Sequence, residues 1–172
     1  LWVQHNTQHD LVIVPVNSCR QAWIDSGIPA EKVVVCPLGV DVEFFSTEAD
    51  PLNLSLSDGR QLKDFSVRFL NISDAIERKN LFGLLQAWLT TTSHNDDAVL
   101  ILKPGFFLRG TRERFWQRVH ELEASIGKTF NESAPIYLID EILAPHVMPP
   151  LYASATHYVI SSRGEEFDLP ML

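Results

Sequence analysis

Val67-Arg68-Phe69-Leu70-Asn71-Ile72 reads as a strand, and the helix after it decides the fold. Asn80 stands where a helix N-cap belongs, and Leu81, Leu84, Leu85, Trp88 and Leu89 then recur at the i, i+3, i+4, i+7, i+8 spacing of one buried helical face. Outward from this pair, Val99-Leu100-Ile101-Leu102 is a buried strand, and Phe115, Val119, Leu122 and Ile126 stripe a second helix ended by Gly127. Ile136-Tyr137-Leu138-Ile139 is a further strand, a short helix starts near Pro149-Pro150, and His157-Tyr158-Val159-Ile160 is the last strand. Strands alternating with helices predict an α/β chain with a Rossmann-like, parallel, doubly wound sheet.

Upstream, Leu11-Val12-Ile13-Val14-Pro15-Val16 is a continuous apolar run suited to a strand buried on both faces. Asn17 or Ser18 can cap the helix after it, which runs from about Cys19 to Ser26 and ends at Gly27, with Pro29 just beyond. Lys32-Val33-Val34-Val35-Cys36 then closes a βαβ unit whose right-handed crossover makes the two strands parallel. The stretch Ser46 to Asp64 is polar and has little periodicity. The expected organisation is therefore one domain part over 1–40, a connection over 41–65, and a second domain over 66–172.

The 172 residues, 45% hydrophobic and 21% charged, are those of an ordinary globular chain. No run approaches the roughly 18 apolar residues of a membrane helix, and the amino end lacks the features of a signal peptide. The net charge of −8 argues against broad nucleic-acid binding but leaves room for a local phosphate site. Cys19 and Cys36 are too few for a disulfide framework and read as buried thiols of a reducing compartment, which places the protein in the cytoplasm. The chain starts without Met and stops inside a motif, so it is expected to be an internal fragment.

Gly105-Phe106-Phe107-Leu108-Arg109-Gly110-Thr111 follows a strand and precedes a helix, as a phosphate loop does. Thr111 replaces the required Lys, however, and three bulky residues fill the loop, so a surface loop capped by Thr111 is the better account. His5 and His9 lie four apart without a third ligand, and nothing in the sequence demands a metal. Lys79 lies between a strand and the N-terminus of the best helix, where a cation can neutralise a diphosphate; the plainer reading is a solvated Arg78-Lys79 pair. Glu165 and Glu166 follow the last strand at the same edge. A carboxylate there accepts hydrogen bonds from sugar hydroxyls, and the N–H groups of Phe167, Asp168 and Leu169, at what reads as a helix start, can donate to sugar or phosphate oxygens.

With these residues in hand, the chain resembles the retaining glycosyltransferases of the GT-B fold, glycosyltransferase family 4 (group 1) in particular. The resemblance rests on Val14-Pro15-Val16-Asn17-Ser18 through Lys32-Val33, on Pro37-Leu38-Gly39-Val40-Asp41, and on Phe69-Leu70-Asn71-Ile72-Ser73-Asp74 to Arg78-Lys79-Asn80-Leu81. Met148-Pro149-Pro150-Leu151-Tyr152 and Ser162 to Leu172 complete it. It implies that Lys79 is the diphosphate lysine and that Glu165 is the first glutamate of the family's Glu-x7-Glu motif, the second falling immediately after Leu172. It further implies donor contacts from Glu166, Phe167, Asp168 and Leu169, and base and ribose contacts around Ile139-Asp140-Glu141. Two departures stand out. Ser73-Asp74 occupies the donor-binding position where the family has Gly-Arg, and Glu165-Glu166-Phe167-Asp168 stands for Glu-Gly-Phe-Gly.

The implied activity is transfer of a sugar, of the hexosyl type, from a nucleoside-diphosphate donor to an acceptor hydroxyl with retention. No cofactor or metal is expected beside the nucleotide-sugar substrate. The acceptor is a glycan, a lipid or a small molecule, with room for peripheral membrane association of the intact protein. The isolated piece is expected to be inactive. The alternatives are a degenerate, non-catalytic GT-B domain used for binding and a GT-B nucleotide-sugar epimerase.

Overall fold

Val99, Leu100, Ile101 and Leu102 are no more than 1% exposed in the computed structural model, which describes residues 2–106, 110–165 and 168–171. Four consecutive buried residues require a strand inside a sheet with a covering layer on each face. The chain divides into two compact units, one of Leu1–Asp41 with Glu165–Leu172 and the other of Val42–Gly164.

The first unit contains α1 (Trp2–Asn6), β1 (Val12–Val14), α2 (Asn17–Asp25) and β2 (Val33–Val35). β1 and β2 pair in parallel with Val12 opposite Val33. The N-cap of α2 is the extended residue Val16, with no side-chain cap bond, so Asn17 opens the helix instead of capping it. Gly27 follows at φ 98°, a conformation that favours glycine. Val12, Val14, Ile28 and Val33 form a small core against Trp23 and Ile24, and Arg20 Nε donates to the Val33 carbonyl at 3.0 Å. Within this unit a helix covers one face of the pair. Ile13 (62%) and Val34 (44%) remain exposed on the other, contrary to the expectation of a strand buried on both faces. Cys19 is half-buried and Cys36 exposed, so only partial burial is found for the two thiols.

The second unit is built on β3 (Val67–Asp74), β4 (Ala98–Gly105), β5 (Ile136–Leu138) and β6 (His157–Tyr158), in the order β5-β4-β3-β6 with every pair parallel. On one face Leu100 and Leu102 meet Leu81, Leu84, Leu85 and Trp88 of α3 (Leu81–Thr91) and Phe115 and Val119 of α4 (Thr111–Ile126). On the other face Leu70, Val99 and Ile101 meet Leu151 of α5 (Met148–Ala153), together with Leu62 and Phe65. Helices on both faces of a parallel sheet make the fold doubly wound, Rossmann-like α/β.

The polar stretch before β3 is docked onto this unit. Leu52, Leu54, Leu56 and Leu62 pack on the α5 face of the sheet, and the Leu52 N–H donates to Ser154 Oγ at 2.8 Å. Leucines spaced among polar residues carry no helical stripe, yet they cover sheet surface that the six-residue α5 leaves open. β6 is shorter than its apolar run suggests, but its pairing continues: the Val159 N–H donates to the Leu70 carbonyl at 2.9 Å, and Asn71 Nδ2 donates to the Val159 carbonyl at 2.8 Å. At the end of the chain Leu169–Met171 forms a single 3-10 turn in place of the helix start that the sequence predicts.

Trp88 locks α3 to the strand edge. Its ring meets Phe69 edge-on at 5.7 Å, and its Nε1–H donates to the Ala134 carbonyl at 2.9 Å. Because it is only 7% exposed, truncation removes a large apolar side chain and one of the two donors to that carbonyl, the Ser133 hydroxyl at 3.1 Å being the other. Trp88→Ala should lower the unfolding free energy of the protein by about 3–5 kcal/mol in urea titration. Trp88→Phe should lose clearly less.

Candidate functional site

In the sheet of the second unit the strand order reverses at β3. The chain leaves β3 through α3 toward β4, whereas β6 arrives on β3's other side. The crevice outside the carboxyl ends of strands at such a switch point is where open α/β sheets hold ligands. The loops after β3 and β6 flank it.

The loop after β3 turns at once. The Ile76 N–H donates to the Asp74 carbonyl at 2.8 Å, Glu77–Lys79 form a 3-10 turn, and Asn80 takes the left-handed conformation (φ 51°) as N-cap of α3. Its side chain does not cap the helix as the sequence predicts. Asn80 Nδ2 donates instead to the Ser161 carbonyl at 3.1 Å. Gly83 permits this, since a Cβ there would lie 2.5 Å from Asn80 Nδ2. The Ser161 hydroxyl points between the carbonyls of Asn80 (3.0 Å) and Lys79 (3.3 Å). The Arg163 N–H donates to the Arg78 carbonyl at 2.9 Å, and Arg78 Nη1 donates to the Gly164 carbonyl at 2.6 Å. Arg78 is therefore a structural clamp, more than half of a solvated basic pair. Lys79, half-buried, ends the turn inside this seam.

Glu77 collects the neighbouring cations, with Arg163 Nη1 at 2.9 Å and Arg118 Nη1 at 3.7 Å. Arg118 also lies over the Phe82 ring at 3.9 Å. A cavity of about 360 Å³ opens on the α3–α4 side of the seam, with Glu77, Asn80, Phe82, Gly83, Arg118 and Arg163 in its wall.

Of the other residues singled out in the sequence, Asp74 is half-buried at the end of β3, in register with Gly105. Glu141 is exposed beyond β5. Its neighbour Asp140 is engaged by Arg112 of α4, which donates to the Asp140 carbonyl at 2.5 Å and pairs with the carboxylate at 3.3 Å. Glu165 follows Gly164 directly and is exposed, while Asp168 is half-buried and accepts the Met171 N–H at its carbonyl (2.9 Å). Glu165, Asp168 and Leu169 group with the first unit. Glu166 and Phe167 lie outside the described residues, as do Phe107, Leu108 and Arg109 of the glycine loop. Gly110 (φ 77°), not Thr111, is the N-cap of α4.

Sequence reasoning missed Lys103. It stands near the carboxyl end of β4, in register with Ile72, half-buried, with Nζ 3.3 Å from the Pro104 carbonyl. Burial lowers its pKa below the ordinary lysine value, and the carboxylates of Asp140, Glu141 and Asp74 act in the opposite direction. A signal for it exists in the sequence: a lysine directly after four fully buried strand residues.

No family model and no curated protein matches this chain. Solved structures do. The Anabaena protein Alr3699/HepE in complex with UDP-glucose is 18% identical with TM-score 0.63, over 95% of this chain and 42% of that one. OtsA in its apo form is 14% identical with TM-score 0.67, over 97% and 42%. The N-terminal domain of the Candida albicans trehalose-6-phosphate phosphatase is 12% identical with TM-score 0.59, over 94% and 40%. The chain thus shares the fold of these neighbours, in keeping with the Rossmann-like α/β architecture that the resemblance implied. The chain spans about two-fifths of the length of these neighbours.

Two consequences can be measured. Gly83→Ala should cost about 1 kcal/mol net, the gain in helix propensity being outweighed by the clash with Asn80. Because that clash is with a side chain, Asn80→Gly in the same protein should recover most of the loss in urea titration. Lys103 binds its proton less tightly when folded, so at alkaline pH the unfolded chain holds the proton over a range where the folded one has released it. Stability should therefore rise with pH as Lys103 deprotonates, and Lys103→Met should remove that contribution from the difference between the two pH profiles.

Proposed function

We propose that this chain carries the donor side of a retaining glycosyltransferase that moves a sugar from a nucleoside diphosphate to an acceptor hydroxyl. The observation that carries the reading is the switch-point seam, which seats Lys79 between the loops after β3 and β6 of a GT-B fold. Two structures of one neighbour support it, since the Anabaena protein was captured with UDP and glucose and with UDP-glucose. UDP-glucose is accordingly the first donor to test.

In such a reaction negative charge grows on the leaving diphosphate while the sugar becomes oxocarbenium-like. A positively charged group placed before the reaction lowers that barrier, because nothing need reorganise as the charge develops. Lys79 supplies the charge, and the rigid seam holds its backbone in place. Glu165 contacts the donor sugar, with Glu166 to Leu169 offering N–H groups to it; Glu141 lies toward the nucleoside. The protein works in the cytoplasm, on a glycan, lipid or small-molecule acceptor.

A second reading has its own motive. Asp74, where the resemblance expects arginine, adds negative charge at the donor edge, as a non-catalytic binding domain would tolerate. Calorimetry of the full-length protein with UDP-, GDP- and ADP-sugars separates the two, since a scaffold binds none of them. With a donor identified, Lys79→Ala should reduce turnover about 100-fold or more at unchanged thermal stability. Unchanged turnover would remove Lys79 from the mechanism.

A further inference from the structure

Asp74, Asp140 and Glu141 all lie at the carboxyl edge of the sheet, and an anionic donor approaching that edge meets three carboxylates. Asp140 already has a cationic partner, because Arg112 of α4 holds both its carbonyl and its carboxylate. Asp74 and Glu141 have no such arginine among the described residues, and they flank β4 from its two sides: Asp74 ends β3, and Glu141 follows β5. Lys103 is the cation between them. Ile72, Ser73 and Asp74 run in register with Lys103, Pro104 and Gly105, and Leu102, the residue before Lys103, is paired with Leu138 of β5. Strand alternation puts Lys103 on the same face as Val99 and Ile101, and Asp74 on the same face as Leu70 and Ile72, which is the α5 face for both. Half-buried and tethered by its Nζ to the Pro104 carbonyl, Lys103 is more narrowly placed than a surface lysine.

We propose that Lys103 is a positioning residue of the donor site, its ammonium offsetting Asp74 and Glu141 so that the edge admits a nucleoside diphosphate. The inference rests on the donor reading above and deepens it. Lys103 restores by way of β4 the positive charge that Asp74 takes away on β3, so the acidic substitution and the lysine act as a compensating pair.

The test is calorimetry of the full-length protein with UDP, in the wild type and in Lys103→Met, Lys103→Arg, Asp74→Asn and the Lys103→Met/Asp74→Asn double variant, each checked for a single cooperative melting transition above the temperature of the titration. Lys103→Met should weaken UDP binding at least tenfold, Lys103→Arg should bind within a few-fold of wild type, and Asp74→Asn should bind as tightly or more tightly. The double variant should recover most of the loss, because only an electrostatic role is repaired by deleting the opposing charge. A lysine acting through packing alone would leave the double variant as weak as Lys103→Met, and that result overturns the proposal. So does UDP binding by Lys103→Met at wild-type affinity. Should the wild type bind UDP, GDP and ADP not at all, the donor reading itself fails and takes this inference with it. A wild type that binds a nucleotide while Lys103→Met binds equally well defeats the inference alone.

Discussion

Where β3 and β6 end, the ladder runs out, and the carbonyls of Arg78, Lys79, Ser161 and Gly164 need donors that no strand supplies. They find them across the loop pair: the Ser161 hydroxyl, the Asn80 amide, the Arg163 N–H and the Arg78 guanidinium. The rest of the candidate site depends on this seam. It joins segments about eighty residues apart in sequence, it sets the left-handed turn at Asn80 from which α3 departs, and it leaves Lys79 in a backbone with little freedom. Gly83 is part of the same solution, since the Asn80 side chain can reach Ser161 only if the third residue of the helix has no Cβ.

The second constraint is charge. The chain is acidic overall, and the carboxyl edge of its sheet carries Asp74 where the family resemblance leads one to expect a base. Cations distributed over separate elements answer this: Arg112 on Asp140, Arg118 and Arg163 on Glu77, and Lys103 within reach of Asp74, Glu141 and Asp140. Partial burial makes the last of these matter most, because water screens it least.

Much of the architecture was legible from periodicity. The α3 stripe and the apolar run of β4 reappear as the two sides of one core, and alternating elements led to a parallel sheet. Periodicity misled where burial is one-sided or irregular. β1 has the composition of a doubly covered strand but sits in a two-stranded sheet with a helix on one face. The leucines of 52–62 show no period that marks an element, yet they close the α5 face. Capping chemistry misled in a third way: Asn80 is the right residue at the right place, but its side chain serves a tertiary contact.

By itself, then, the sequence determined the element types, the parallel doubly wound sheet, and the placement of Lys79 beside the N-terminus of the best helix. These follow from local spacing and from the need to bury one face of each element. Only the tertiary structure decided that the loops after β3 and β6 are hydrogen-bonded neighbours, that Arg78 is a clamp, and that Lys103 stands among Asp74, Asp140 and Glu141. The reason is that hydrogen bonds and charge pairs between loops are set by strand order, and strand order depends on which element crosses back over the sheet. No local pattern of residues encodes that.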